Sequence, residues 1–309
     1  MREIKTSSNG SIFSEDIKQT LHASGIDFEY QTCTNSFNFY KSEPSNLLYI
    51  DPIPSPEEEA TIYPSNYEPF SFHKFPKIIQ TARNFVQKNK AKALRRELGD
   101  NAKILDLGCG NGALLIILRQ FGPKEWELHG IDPYSNLDHL SEEKISAHPI
   151  NIEALDLESY FDAIILNQTI EHFRDVPNIL RNVHRLLKPG GKIIIETPNT
   201  NGLDAKLFKL RYWGGYHFPR HFFLFNPSNL TELLHQNGFK TLDVEFLASP
   251  AFWIQSLHHI AFDNGSTFFA KFFTIKNISL LALFTIIDLT LIKMGLETSN
   301  QRVIARKEA

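Results

Sequence analysis

From Ala102 onward, short apolar runs alternate with amphipathic stretches. Lys103-Ile-Leu-Asp-Leu107 predicts a strand, and the apolar residues through Leu118, after a glycine-rich turn, predict a helix. Glu127-Leu-His-Gly-Ile131 predicts the next strand, Ile145 to Ile150 a weaker third, and Asp162-Ala-Ile-Ile-Leu166 a fourth. Asp175 then offers an N-cap, Pro177 falls in the first turn, and Ile179, Leu180, Val183, Leu186 and Leu187 recur at helical spacing. Pro189-Gly-Gly191 ends that helix before a fifth strand, Lys192-Ile-Ile-Ile-Glu196. Strands alternating with helices predict a parallel sheet covered on both faces.

The rhythm loosens past Thr197. Asn226-Pro-Ser begins a helix carrying Leu230, Leu233 and Leu234 and closed by Gly238. Thr241 to Leu247 alternates like a strand, Asn300 to Lys307 offers another, and residues 251–293 between them read as Phe-rich and mostly helical. Upstream, residues 74–98 hold eight Lys/Arg and one acid, Glu97. Ile78, Ile79, Ala82, Phe85 and Val86 give this block a helical apolar stripe. Its basic face is read as solvated rather than as a contact for anionic lipid or RNA. Residues 1–70 hold 11 acidic and 4 basic residues, with Pro44, Pro52, Pro54, Pro56 and Pro64 clustered late, and are expected to form an irregular lead-in.

A length of 309 residues allows two domains or one decorated domain, and 42% hydrophobic residues suffice for a real core. A net charge of −3 argues against a nucleic-acid partner, whose phosphates need a basic face. Cys33 and Cys109 are too few for a disulfide framework or a Cys-rich zinc site, so no metal is expected and a reducing cytoplasm is. The N-terminal residues lack the apolar stretch of a secretory signal. The longest apolar run, Ile278 to Ile287, is well short of the ~20 residues that span a bilayer.

Candidate chemistry centres on Asp106-Leu-Gly108-Cys-Gly110-Asn-Gly112, at a strand exit and helix entry. Glycines there let the backbone turn sharply and approach a ligand. Asp132 ends the second strand, where a carboxylate accepts hydrogen bonds from the ribose hydroxyls of an adenosine cofactor. The spacing Gly108-x-Gly110-x-x-Ala113 also satisfies the dinucleotide fingerprint, a weak pattern on its own. Asp106 tilts the choice, since a carboxylate attracts an ammonium group and repels a pyrophosphate. A nicotinamide-dependent oxidoreductase and a non-catalytic cofactor-binding regulator remain the alternative classes.

Ile104-Leu-Asp-Leu-Gly-Cys-Gly-Asn-Gly112, Gly130-Ile-Asp132, Phe161-Asp-Ala-Ile-Ile-Leu-Asn-Gln168, Ile170-Glu-His172 and Leu187-Lys-Pro-Gly-Gly191 together resemble, in order, the motifs of class I S-adenosylmethionine-dependent methyltransferases. The nearest likeness is to the branch with quinone O-methyltransferases and bacterial small-molecule and sugar methyltransferases. It covers residues 102–198, and extends more faintly through Pro219-Arg-His221, the Leu230–Gly238 helix and Arg302-Val-Ile-Ala-Arg306. The resemblance implies an α/β, Rossmann-like, doubly wound, mainly parallel seven-stranded sheet with helices on both faces. An irregular N-terminal lead-in and a helical C-terminal elaboration would flank it. In domain terms, residues 1–70 would be a degenerate zinc-ribbon-like segment without metal, because the two Cys-x-x-Cys pairs of relatives are missing. Residues 71–309 would be the methyltransferase domain, with a cofactor core at 102–198 and a substrate-side elaboration at 199–309.

Carried over residue by residue, the resemblance assigns Gly108, Gly110 and Gly112 to the methionine part of S-adenosyl-L-methionine and Asp106 to its amino group. It assigns Asp132 to the ribose, Pro133 to the neighbourhood of the adenine, and Asn151 and Ile152 to the adenine edge. Asn167 and Gln168 would border the reacting methyl group. The implied acceptor is small or lipid-linked, methylated in line at a hydroxyl, which requires a base. His221 and His172 are the candidates, each of which would otherwise be a hydrogen-bonded scaffold histidine. Phenylalanine is in surplus at 25 residues, 14 of them in 199–309 and only Phe121, Phe161 and Phe173 in 103–198. The surplus packs as core, lines an apolar acceptor pocket, or makes a peripheral membrane contact through residues 251–295, flanked by Lys271, Lys276 and Lys293.

Overall fold

The computed structural model describes residues 1–64 and 77–308, with the backbone alone at residues 77–80 and 82–87. In chain order the elements are β1 (Thr6–Ser7), β2 (Lys18–Gly25), β3 (Phe37–Glu43), β4 (Leu48–Asp51), β5 (Ile53–Pro54), α1 (Glu59–Ile62) and α2 (Lys77–Leu98). Next come β6 (Lys103–Leu107), α3 (Ala113–Phe121), β7 (Glu127–Ile131), β8 (Ser146–His148), β9 (Phe161–Asn167), α4 (Val176–Leu186) and β10 (Leu187–Pro198). The last part holds α5 (Leu203–Leu207), β11 (Phe223–Leu224), α6 (Pro227–Gln236), β12 (Phe239–Phe246), α7 (Pro250–Asp263), α8 (Thr267–Phe272), α9 (Ile278–Lys293) and β13 (Asn300–Lys307).

The large sheet has seven strands in the order β12-β13-β10-β9-β6-β7-β8. All neighbours are parallel except β13, which runs against both β10 and β12. The central strands bury both faces, which explains their unbroken apolar runs. Leu105, Ile164, Leu166, Ile193 and Ile195 face α4 and α6, packing with Ile179, Leu180, Val183, Leu230 and Leu233. Ile104, Ile165 and Ile194 point the other way, toward Ala91 and Leu94 of α2 and Leu115 and Leu118 of α3. Asp175 caps α4 by accepting from Asn178 N at 3.0 Å, and Asn226 and Asn229 form a reciprocal cap on α6. The apolar stripe expected on residues 78–86 falls on side chains outside the described residues.

The N-terminal lead-in is not irregular. β2, β3, β4 and β11 form a four-stranded antiparallel sheet. Phe37 and Phe39 alternate inward and are fully buried in the same core as Leu105 and Phe161. The prolines that suggested irregularity sit at strand ends, Pro44 just after β3 and Pro52 between β4 and β5. β11, drawn from residues 199–309, pairs Phe223 with Tyr49, so this sheet joins the lead-in to the C-terminal part of the chain. The boundary expected at residue 70 lies outside the described residues.

Strand order fixes where a ligand fits. From β6 the chain moves to β7 and β8 on one side, then returns to β9 on the other. Loops leaving the carboxyl ends of β6 and β9 therefore diverge over a crevice, the usual ligand position in an open α/β sheet.

Candidate active site

The β6 exit loop is held close to its neighbours by backbone geometry. Gly108 and Gly112 have φ of +74° and +72°. A Cβ on Gly108 would lie 2.2 Å from Thr169 Cγ2, and one on Gly112 would lie 2.5 Å from Leu140 Cδ2. Gly108 N and Cys109 N donate to Ile131 O at 2.8 and 3.0 Å, tying the loop to the end of β7. Asp132 Oδ2 accepts from Gly110 N at 3.0 Å and Oδ1 from Tyr134 N at 2.9 Å. Glycine loop and second-strand carboxylate thus form one unit, as their spacing predicts.

Asp106 lies beneath this loop, 2% exposed, and its Oδ1 has no hydrogen-bond partner. Burial pushes its carboxyl up to about 7, against the pull of the Lys90 ammonium and with the charges of Asp132 and Glu196 adding to the rise. Lys90, buried on α2, places Nζ 2.9 Å from Glu196 Oε1 and 3.1 Å from Asn167 Oδ1. Burial alone would raise Glu196, but Lys90 and Arg302 hold its carboxyl below the usual range. A buried oxygen without a partner, under a loop whose Gly108 and Gly112 admit no Cβ, fits the ammonium end of an amino-acid moiety.

Pro133 is exposed beside Asp132. At the next strand tip Asn151 is exposed and Ile152 buried, in a turn closed by Ala154 N donating to Asn151 O. Asn167 spends its side-chain oxygen on Lys90. Gln168, at φ +55°, donates Nε2 to Asn300 Oδ1 at 3.0 Å and is tied to β13.

His172 and His221 come together. Their ring centroids lie 4.7 Å apart, edge to face. His172 Nδ1 donates to Arg220 O at 2.9 Å, and His221 Nδ1 donates to Gly215 O at 2.8 Å. Carbonyls only accept, so both rings carry the proton on Nδ1 and turn a lone pair out at Nε2. Burial and the charge of His217 push His172 down to about 3. His221 is driven well below its ordinary value by burial and its histidine neighbours. Glu171 is wholly buried, accepts from Thr197 Oγ1 at 2.9 Å through Oε2, and has no partner at Oε1, 4.0 Å from His221 Nε2. Burial raises its carboxyl to about 8.

No metal was expected from the sequence, yet one donor atom each from Glu171, His172 and His221 lies within 4.8 Å of the others. The 4.0 Å between His221 Nε2 and Glu171 Oε1 exceeds the roughly 3.5 Å between neighbouring ligands at bond lengths of about 2.1 Å. As it stands the group is a hydrogen-bonding cluster that a cation would have to draw inward.

A second layer escaped sequence reasoning. Arg220, fully buried, pairs both ends of its guanidinium with Asp27 at 3.0 and 2.9 Å and donates Nε to Ile62 O at 2.7 Å. His217 Nδ1 lies 2.8 Å from Glu29, and its ring stands 5.0 Å from His221. Glu29 also receives Gln255 Nε2 at 3.2 Å. The dense Tyr216-His-Phe-Pro-Arg-His221 segment hinted at these roles. Asp27 and Glu29 gave no signal, because their partners lie 193 and 188 residues away.

The chain is similar to several known proteins. It is 30% identical over 122 residues to a malonyl-[acyl-carrier protein] O-methyltransferase of Priestia megaterium, covering 36% of this chain and 44% of that protein. It is 27% identical over 161 residues to a ubiquinone biosynthesis O-methyltransferase of Coxiella burnetii, covering 46% of this chain and 64% of that protein. The match thus spans about half to two thirds of these relatives' length. Among solved structures, a Burkholderia thailandensis 1,6-didemethyltoxoflavin-N1-methyltransferase, determined with bound 1,6-didemethyltoxoflavin and S-adenosylhomocysteine, superposes with a TM-score of 0.51 at 17% identity. That likeness covers 85% of this chain and 95% of the other and bears on the fold. A family profile described as a methyltransferase domain matches residues 79–244, more than half of the 309 residues. The glycine loop, Asp132 and the crevice over β6 and β9 all lie within that match, and the chain belongs to the methyltransferase domain family.

Proposed function

We propose that this chain transfers a methyl group from S-adenosylmethionine to a hydroxyl of a small or lipid-linked acceptor. The observation that carries the reading is Asp106, a buried carboxylate with an unpartnered oxygen under a loop whose Gly108 and Gly112 leave no room for a Cβ. An ammonium satisfies that oxygen; a pyrophosphate placed there would face a negative charge, which argues against a nicotinamide cofactor. Asp132, released from the loop amides it now caps, offers two oxygens to ribose hydroxyls. Pro133 offers exposed apolar surface to the adenine beside Asp132.

Bound there, S-adenosylmethionine supplies an electrophilic methyl group whose leaving group is a neutral thioether. The chain's own task is alignment and proton removal. His172 and His221 present two neutral acceptor nitrogens that hydrogen-bond and orient an acceptor hydroxyl; lowered by burial they are weak bases, so a ring takes the proton only as the attacking oxygen becomes positively charged. Glu171 closes the group from the β10 side through Thr197. Both curated relatives described above are O-methyltransferases, which supports oxygen as the target. A lipid-linked acceptor also requires access to a membrane surface, for which residues 251–295 offer the contact.

The test is turnover with methyl-labelled S-adenosylmethionine against hydroxyl-bearing small molecules and lipid extracts. The reading predicts S-adenosylhomocysteine matched by label in an oxygen-methylated product. Label found on nitrogen, or no S-adenosylhomocysteine above a protein-free control, counts against it.

A further inference from the structure

The polarity of α9 is reversed relative to a helix on a protein surface. Its one acid, Asp288, points inward, where it accepts from Ser249 N at 2.7 Å and Trp253 Nε1 at 2.9 Å. Phe284 stacks on Trp253 on that inner side, at 5.4 Å between centroids. Leu283, Ile286 and Leu289 face outward and are 50%, 63% and 54% exposed. On α8 the same holds for Phe268, Phe269 and Phe272: Phe268 meets Phe269 and Phe272 meets Phe273 edge to face, and Phe269 stacks on Phe273. A helix apolar all round belongs in a core, so an apolar outward face of this extent marks a contact surface.

Charge selects the occupant. Residues 264–296 contain Lys271, Lys276 and Lys293 and, apart from the buried Asp288, no acid. A second copy placed on this face by two-fold symmetry would set one lysine-bearing rim against another. An anionic bilayer accepts the apolar side chains and complements the lysines at once. Among the described residues no helix is long and apolar enough to cross a membrane, so the contact lies along the surface.

The patch borders a cavity at the protein surface. Lys271 and Phe273 line a cavity of about 510 Å³ with Ile254, Ala270 and Ile275, and Glu29 lies at its wall. Glu29 holds His217, whose ring stands beside His221. We infer that α8 and α9 dock the protein on an anionic phospholipid surface, which sets the mouth of this cavity against the bilayer. The docking does not rest on the form of the proposed acceptor.

Vesicle flotation of the full chain tests the docking, without cofactor or acceptor. The probes are vesicles of phosphatidylcholine alone and of phosphatidylcholine mixed with phosphatidylglycerol. The chain is expected to float with the anionic vesicles and to be released by salt. A Lys271→Glu/Lys293→Glu variant is expected to bind at least about 25-fold more weakly, at roughly fivefold per lysine. Ile286→Asp/Leu289→Asp is expected to abolish flotation while binding S-adenosylhomocysteine like the parent, which keeps misfolding apart from lost docking. Equal flotation of parent and variants, absence of binding to anionic vesicles, or a dimer that Ile286→Asp/Leu289→Asp splits in light scattering would each overturn the inference. A chain that methylates but does not float loses the docking alone, whereas one that floats but does not bind cofactor loses the proposed activity alone.

Discussion

Gly108 and Thr169 meet where the loop after β6 crosses the loop after β9, so closely that a methyl group on Gly108 would lie 2.2 Å from Thr169 Cγ2. Contact between these loops makes the crevice a single unit. With φ at +74°, Gly108→Ala is both strained and obstructed, and is expected to cost about 2–4 kcal/mol and to abolish cofactor binding. Thr169→Ser removes the nearest obstructing atom and is expected to restore part of that stability in the double variant. Thermal unfolding and cofactor titration of the two single variants and the double variant check this.

Asp106 links cofactor binding to pH. Its carboxyl, raised to about 7 by burial, is neutral in much of the free protein below that pH and must ionise to pair with an ammonium. Affinity is therefore expected to fall about tenfold per pH unit below 7 and to level off above it. Asp106→Asn is expected to bind more weakly and to lose this dependence. Calorimetry between pH 5.5 and 8.5, chosen as roughly 1.5 units on either side of that value, reads both.

The histidine pair carries the proposed proton removal. His172→Asn and His221→Asn are each expected to lower kcat less than the double variant, which is expected to lose about 10²–10⁴ with cofactor affinity unchanged. Because both rings stay neutral well below their ordinary value, neither is expected to titrate between pH 5 and 8, and a pH profile of kcat should show no histidine-type fall there. A chelator is expected to leave turnover unchanged, since the Glu171, His172 and His221 group is set wider than a bound cation requires.

Asp27 and Arg220 brace this site from below. Arg220→Met leaves Asp27 buried and unpaired and is expected to cost about 3–5 kcal/mol, much of it recovered by pairing the change with Asp27→Leu. Burial alone would raise Asp27, but Arg220 and Thr32 hold its carboxyl below the ordinary value. The sign follows: the pair's contribution is full above the unfolded carboxylate value of about 3.9 and is lost as pH falls through the lower folded one. Urea unfolding at stepped acidic pH should show that loss in the parent and not in Asp27→Leu/Arg220→Met.

Much of this architecture is local in origin and was readable in the chain. Asp106, the three glycines and Asp132 lie within one strand-loop-helix-strand unit, so spacing alone put them at one crevice. The parallel core of the sheet followed for the same reason, because both-faced burial writes itself as apolar runs in β6, β9 and β10, whereas its seven strands were implied by the resemblance. The lead-in was misread because Phe37 and Phe39 are buried by residues almost two hundred positions later, in a stretch whose charge and prolines spoke for a loop. Lys90 was hidden within a run of basic residues, where nothing distinguishes the one lysine that turns inward to Glu196. Asp27 and Glu29 are the far ends of contacts made only when the chain closes on Arg220 and His217. The phenylalanine surplus divides in the fold: Phe222, Phe223 and Phe225 are core, while Phe268, Phe269 and Phe272 face outward.

The central claim is that the crevice over β6 and β9 takes a sulfonium cofactor. Isothermal titration of the full chain with S-adenosylmethionine, S-adenosylhomocysteine and NADH measures it most directly. Saturable one-site binding of the first two, lost in Asp132→Ala, with no heat from NADH, is the predicted result. Binding of NADH with no response to either S-adenosyl compound would contradict it.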